Sequence, residues 1–248
     1  MAEGVGVAMP TPSSLLPIRH IIGIGRNYAD HAKEQAADVP TRPMVFTKNP
    51  ASACLHGDAI EIPAICRDAA TGGDQTDFEG EFAVILGNAA SSGGLAAWRG
   101  PIKDVPEARA LECVVGYTIA NDVSARWWQK EGSGGQFCRG KSFDTFCPLG
   151  PRVASTREIP DPQTLRVVTR VNGQVMQDAS TSLMMFPVAR LISDLSRGTT
   201  LVPGTVILTG TPSGVGMARK PPVWLKPGDR VEIQIDPIGV LSNVVRNA

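Results

Sequence analysis

Three carboxylates stand at alternate positions in the stretch TDFEGEFAVILG: Asp77, Glu79 and Glu81. On a β-strand, residues two apart face the same side, so the spacing predicts that all three project together. Like charges gathered in this way repel, and taking them out of water is costly unless a cation sits among them. The plainer alternative is a solvent-facing strand side with Phe82, Val84 and Leu86 packed beneath it. Yet FAVIL follows at once and is apolar on both faces, so the strand enters the core immediately. A further acid, Asp122, ends CVVGYTIAND after nine uncharged residues. It reads either as a carboxylate at the rim of the core or as the cap of a helix over residues 124–129. Glu79, Glu81 and Asp122 together make an all-oxygen donor set, which selects Mg2+, Mn2+ or Ca2+ over Zn2+. Three ligands leave coordination positions that a bidentate substrate can fill.

A second pattern points elsewhere. GQFCRGKS, residues 135–142, matches the phosphate-loop pattern G-x-x-x-x-G-K-[ST] at every position. Such a loop works by leaving a strand and opening a helix whose N-terminal N–H groups hold the phosphates. Here WWQKEGSG precedes it and FDTFCPLGP follows, with Pro148, Gly150 and Pro151 barring a helix of useful length. A nucleotide binder is therefore the weaker reading. GIGRNY fails as a dinucleotide fingerprint, because Tyr28 stands where Gly or Ala is needed.

The elements that would position these groups are mostly strands. Residues 18–25, IRHIIGIG, read as a buried strand, and NYADHAKEQAAD as a helix with Asn27 as a potential N-cap. Residues 44–66 read as short strands and turns, and 78–87 as a strand. Asp104 and Glu107 stand at capping-box spacing around Pro106, which predicts a short helix before the strand CVVGYTIAND. In LRVVTRVNGQVMQ, Asn172-Gly173 predicts a hairpin turn. Val188, Leu191, Ile192 and Leu195 repeat at helical spacing between Pro187 and Gly198. VPGTVILTG and DRVEIQI then return to strand. The fold class is a β-rich α+β domain over residues 18–248, behind a small-residue tail over 1–17.

Composition narrows the partners. The 248 residues carry 24 basic and 24 acidic side chains, so no net field draws the chain to nucleic acid or an anionic membrane. Five cysteines without a C-x-x-C pair argue against a disulfide framework and a thiolate zinc site. There is no apolar run of membrane-spanning length, no secretory signal pattern and no arginine before Arg19. The expectation is a cytoplasmic protein with a small-molecule partner, a mitochondrial location being the alternative.

GRNYADHAKE, DFEGEFAVILG, GYTIANDVSAR, GKSFDTFCPLGP, the Asn-Gly hairpin and LTGTPSGVG followed by LKPGDRVEIQI occur in this order. In that series the chain resembles the fumarylacetoacetate hydrolase family from about Ile21 to Val245. The resemblance implies a rolled mixed β-sheet with a few short helices, a homodimer, and one divalent cation, Mg2+ or Mn2+, with Ca2+ able to replace it. It assigns the metal to Glu79, Glu81 and Asp122 and makes Asp77 a neighbour. His31 and Glu34 match a catalytic H-x-x-E pair in which Glu34 orients the imidazole and His31 takes a proton from water; by themselves they would pass for an exposed helix face. Lys141 matches a lysine that neutralises the substrate's enolate or carboxylate. Arg126, Gln129 and Thr211 match positions that bind substrate. Trp127 and Pro237 depart from the family's usual residues.

The implied substrate is a small 2-oxo acid with a second carbonyl. The implied reaction is hydrolytic carbon–carbon cleavage of acylpyruvates, with oxaloacetate decarboxylation, keto–enol tautomerisation or isomerisation of hydroxy-dienoic diacids as alternatives through the same enolate.

Overall fold

The computed structural model describes residues 6–8, 15–34 and 38–248. Gly6–Ala8 (β1) and Leu15–Pro17 (β2) pair antiparallel. The stretch read as a tail therefore carries a two-stranded element, too short to leave a periodic signal; its other residues lie outside the described ones. His20–Gly25 (β3), Ala29–Glu34 (α1), Met44–Lys48 (β4), Ala53–Leu55 (β5), Ala59–Ile62 (β6) and Ala64–Arg67 (α2) follow. Next come Thr76–Asp77 (β7), Gly80–Leu86 (β8), Val114–Asn121 (β9), Ser124–Ala125 (β10), Arg126–Gln129 (α3) and Phe137–Lys141 (α4). Cys147–Ala154 (β11), Arg166–Val171 (β12), Gln174–Ser180 (β13), Val188–Ser196 (α5), Thr205–Leu208 (β14), Arg230–Ile235 (β15) and Gly239–Asn247 (β16) complete the order.

Two mixed sheets carry the fold, in line with the expected β-rich α+β class. The larger runs β4-β3-β14-β8-β9-β11-β5 and the smaller β13-β12-β15-β16-β6. β3 pairs parallel with β14, β5 with β11 and β6 with β16, while β8 pairs antiparallel with both neighbours. The larger sheet is rolled, and chain connectivity requires it. β4 and β5 are its two opposite edges, yet only Asn49 to Ser52 separate them. Five peptide steps span at most about 17 Å, so the edges have to approach one another.

That roll explains why FAVIL is apolar on both faces. Phe82, Val84 and Leu86 pack outward against the smaller sheet and α5, in one core with Val167, Leu191, Ile192, Val231 and Ile233. Ala83 and Ile85 face the opposite way, packing with Ile21, Ala53, Val115, Leu149, Val206 and Leu208 in a second cluster within the roll. Both faces of β8 are dry, as its uninterrupted burial shows.

Several local expectations are met. Asn172 and Gly173 take positive φ, 51° and 80°, between the paired β12 and β13. α5 begins after Pro187 and Gly198 follows it at φ 67°. Others are corrected. Asn27 does not cap α1: its amide donates to Thr209 O and Phe186 O, and its Oδ1 accepts from Phe186 N, a brace between distant segments. The capping box at Asp104 does not form either. Residues 107–113 are a 3₁₀ helix capped by Pro106, and the Asp104 carboxylate instead accepts from Gly198 N. The helical pattern after Glu34 continues into residues outside the described ones.

Candidate active site

The carboxylates collect where strand ends meet at the mouth of the roll. Glu79 precedes β8, Glu81 is its second residue, and Asp122 follows β9, whose Asn121 and Ala120 lie opposite Gly80 and Glu81. Asp122 N donates to Glu79 O at 2.8 Å, and Asn121 Oδ1 accepts from Glu79 N, which locks the two ends together. Ligand oxygens of Glu79, Glu81 and Asp122 all lie within 4.8 Å of one another, and all three residues are buried.

Asp77 does not join them. The strand is interrupted between β7 and β8, and Asp77 turns away to accept from Gly216 N, Met217 N and the guanidinium of Arg126. The alternation expected to bring three carboxylates to one face therefore holds for Glu79 and Glu81 and fails for Asp77. Asp122 is not a helix cap: β10 follows it, and its side chain points into the cluster.

Three buried cations oppose these four buried acids. Lys141 donates to Glu79 Oε2 at 2.8 Å, Asp122 Oδ2 at 2.5 Å and Ser124 Oγ at 2.8 Å. Lys48 donates to Asp122 Oδ1 at 2.5 Å and Phe146 O at 2.8 Å. Arg126 bridges Asp77 and Glu79, its NH1 lying 2.8 Å from Glu79 Oε1, and also donates to Gln129 Oε1. Burial alone would favour the neutral acid at Glu79, but Lys141 and Arg126 hold its carboxyl well below the usual range. The same acids raise Lys141 and Arg126 against the opposing pull of burial. Glu81 has no ion pair among the described residues. Burial, then Asp122 and Glu79, push its carboxyl well above the usual carboxylate range, offset in part by the Gly210 N–H that Glu81 Oε2 accepts at 2.7 Å.

This is the arrangement a hard divalent cation fits. The donors are all oxygen and converge within reach of one ion, and Glu81 lacks the ion pair that Glu79 and Asp122 each have. Glu79, Glu81 and Asp122 would hold it.

A small cavity opens beside the cluster, with a total open volume of about 300 Å³ including its mouth. Glu79, Lys141, Gln129 and Thr211 line it together with His31, Arg26, Phe46 and Phe137. His31 and Glu34 sit one turn apart on α1 and meet at 2.7 Å, Nδ1 to Oε1. Glu34 Oε2 accepts from Gly214 N, so the pair is anchored to the loop after β14. Thr211 is at the wall, but its hydroxyl already donates to Gly80 O and accepts from Gln177 Nε2. Arg126 is packed behind the carboxylates, where it holds Asp77, Glu79 and Gln129 in place. Trp127 and Trp128 meet edge to face at 5.0 Å and do not line the cavity.

Sequence reasoning passed over Lys48, Phe46 and Phe137. The available signal was alternation in MVFTK: Val45 and Thr47 are exposed, so Phe46 and Lys48 share the other face. It also missed a short helix inside the phosphate-loop pattern, although none follows the lysine, as expected. Phe137–Lys141 is itself α4, and Lys141 occupies its last turn, the reverse of a helix opening after the lysine. A Cβ at Gly140 would lie 2.4 Å from Gln129 N and 2.8 Å from Ala125 O, so glycine lets α4 pack on α3.

A rolled mixed sheet whose open end holds buried acids, buried cations and a His–Glu pair around one small cavity defines a β-rich α+β enzyme with an acidic, metal-type centre. The family model for the fumarylacetoacetate (FAA) hydrolase C-terminal domain matches residues 20–246, and the chain belongs to the fumarylacetoacetate hydrolase family. Oxaloacetate tautomerase YisK of Bacillus subtilis is 44% identical over 231 residues, covering 92% of this chain and 70% of its own. The crystal structure of 5-carboxymethyl-2-hydroxymuconate delta-isomerase from Mycobacterium smegmatis superimposes with a TM-score of 0.75 at 40% identity, covering 94% of this chain and 81% of that one. Fumarylpyruvate hydrolase from Pseudomonas aeruginosa, in complex with Mn2+ and pyruvate, gives a TM-score of 0.81 at 26% identity, covering 99% and 97%. No helix among the described residues is long and apolar enough to cross a membrane.

Proposed function

We propose that this protein is a divalent-cation-dependent enzyme that moves a proton between carbon and oxygen of a small 2-oxo acid, with oxaloacetate keto–enol tautomerisation as its reaction. The observation that carries this reading is the His31–Glu34 pair held at 2.7 Å on the wall of the cavity that Glu79 and Lys141 also line. A divalent cation bound by Glu79, Glu81 and Asp122 would supply Lewis acidity toward a chelated carbonyl. Glu34 fixes the imidazole through Nδ1, which turns the other ring nitrogen to acid–base work; His31 takes a proton from the carbon next to the keto group and returns it on oxygen, or the reverse. Lys141 places a fixed positive charge where negative charge develops on the substrate. The cavity is small and opens to solvent beside Glu79 and Lys141, which favours a small acid over a bulky one. The relative that is 44% identical, an oxaloacetate tautomerase, supports the choice of substrate.

Hydrolytic cleavage of acylpyruvates is the second reading, favoured by the same pair acting on a water molecule and by the likeness to a fumarylpyruvate hydrolase. One experiment separates them. The Mg2+- or Mn2+-loaded protein is mixed with oxaloacetate, acetylpyruvate and fumarylpyruvate in turn, following enol absorbance, pyruvate and carbon dioxide. Faster loss of enol absorbance from oxaloacetate with neither product supports tautomerisation. Pyruvate from the acylpyruvates overturns it in favour of hydrolysis, and carbon dioxide in favour of decarboxylation.

A further inference from the structure

Arg26 belongs to the glycine-flanked stretch GIGRNY, which sequence reasoning set aside, and neither the carboxylate cluster nor the His–Glu pair uses it. It sits at the turn after β3 with φ 54°, a left-handed conformation that a long side chain rarely adopts. The next residue, Asn27, is fully buried and braced by three hydrogen bonds to Thr209 and Phe186, so the turn is held rigidly. Strained backbone retained on a rigid support is a pointer to function.

The side chain adds a second, independent observation. Among the described residues, the lysine and arginine side chains that line the cavity are Arg26 and Lys141. Lys141 is committed to Glu79 and Asp122. Arg26 has no carboxylate within ion-pair distance among the described residues, and its Nε is buried with no hydrogen-bond partner. A buried guanidinium N–H left unmatched is costly, and Arg presents a planar fork suited to carboxylate. The rest of that wall is aromatic: Phe46 and Phe137 meet at 5.7 Å and offer no competing acceptor. Gly23 makes room for this wall, since a Cβ there would lie 2.1 Å from the Phe46 ring.

We propose that Arg26 is a specificity-determining residue that binds the distal carboxylate of a dicarboxylic 2-oxo acid whose keto-acid end is held at the carboxylate–Lys141 cluster. This rests on the proposed function for the position of the keto-acid end, and it narrows the substrate class to diacids over acids with a neutral tail. Arg26 lines the same small cavity as Glu79 and Lys141, so a short acid held at the cluster has few walls for its far end to meet.

The test uses binding, so that it stands apart from turnover. Mn2+-loaded wild type, Arg26→Gln and Arg26→Lys are titrated calorimetrically with 3,3-difluorooxaloacetate, which keeps both carboxylates and cannot enolise, and with pyruvate, which lacks the distal one. A charge-assisted contact of this kind is worth about 30-fold in affinity. Arg26→Gln is expected to lower the affinity ratio of diacid to pyruvate by about that factor, and Arg26→Lys to recover part of it. An unchanged ratio, parallel weakening of both compounds, or no binding of the diacid to wild type overturns the proposal. A ratio that shifts in a protein inert toward all three 2-oxo acids would leave Arg26 as a diacid contact and refute the proposed reaction instead.

Discussion

Lys48 is the sharpest test of how the site is balanced, because its charge is fully buried and it serves no surface role. Its ammonium lies 2.5 Å from Asp122 Oδ1 and 2.8 Å from Phe146 O, with neither partner side chain of the ion pair exposed. Lys48→Met keeps the length and apolar volume of the stem and removes only the charge. Breaking a buried ion pair by deleting one partner costs about 3–5 kcal/mol. Asp122 retains Lys141 on Oδ2, and the desolvation of Lys48 itself is relieved, so the lower end, about 3 kcal/mol, is the expected loss. For a chain of this length that corresponds to a fall in Tm of about 6–12 °C.

The charge count makes the second half of this test. Four buried acids face three buried cations in the native protein, and the substitution leaves only two. A divalent ion at Glu79, Glu81 and Asp122 would then offset more repulsion in the variant than in wild type. Calorimetric melts in chelator and in saturating Mn2+ check both points: Mn2+ should raise the variant's Tm by more than it raises that of wild type. A metal-free Tm for Lys48→Met within about 2 °C of wild type would refute the reasoning, since it would mean that the ammonium contributes packing alone.

The other expectations follow from the same geometry. Glu81→Gln keeps an acceptor for Gly210 N and removes the acid that has no ion pair among the described residues, so metal-free stability should stay within about 1 kcal/mol of wild type while the Tm gain from Mn2+ disappears. His31→Asn should lower kcat/KM by about 100-fold or more without comparable weakening of Mn2+ binding by calorimetry, and Glu34→Gln should move in the same direction by less. Gly140→Ala forces a Cβ against Gln129 N and Ala125 O, and should cost about 2–3 kcal/mol in urea melts. The homodimer implied by the family resemblance should elute with twice the 26.2 kDa chain mass in light-scattering chromatography.

What could be read from the sequence was what local periodicity encodes. Glu79, Glu81 and Asp122 were legible because each breaks an apolar strand pattern at its end, where a charge needs a reason. The Asn172-Gly173 turn and α5 were legible because their glycine and proline positions fit only one geometry. Asp77 was misread because nothing in TDFE marks the strand break; the backbone turns there to meet Arg126, Gly216 and Met217, partners 49 to 140 positions away. Asn27 and Asp104 were misread for the same reason, since distant N–H and C=O groups outbid the local cap. α4, five residues long and holding a glycine, is below the length at which a helical period can be seen.

The likeness of GQFCRGKS to a phosphate loop has a physical cause in the fold. A phosphate loop spends its glycines on backbone approach to a ligand and presents the start of a helix to it. Here Gly140 brings the end of α4 against the backbone of Ala125 and Gln129. That close approach carries the next residue, Lys141, inward to Glu79, Asp122 and Ser124, while Ser142 Oγ accepts from Asn49 N just after Lys48. Glycine, lysine and serine are thus each selected by a different neighbour, and the three together tie α4 to the closing edge of the roll. The ammonium that the pattern would aim at a phosphate is instead one of the three charges that let four carboxylates remain buried. A chain in which Lys141 is replaced while Lys48 and Arg126 remain should accordingly lose stability as well as turnover, whereas a phosphate-loop lysine, facing solvent when its ligand is absent, would lose only the latter.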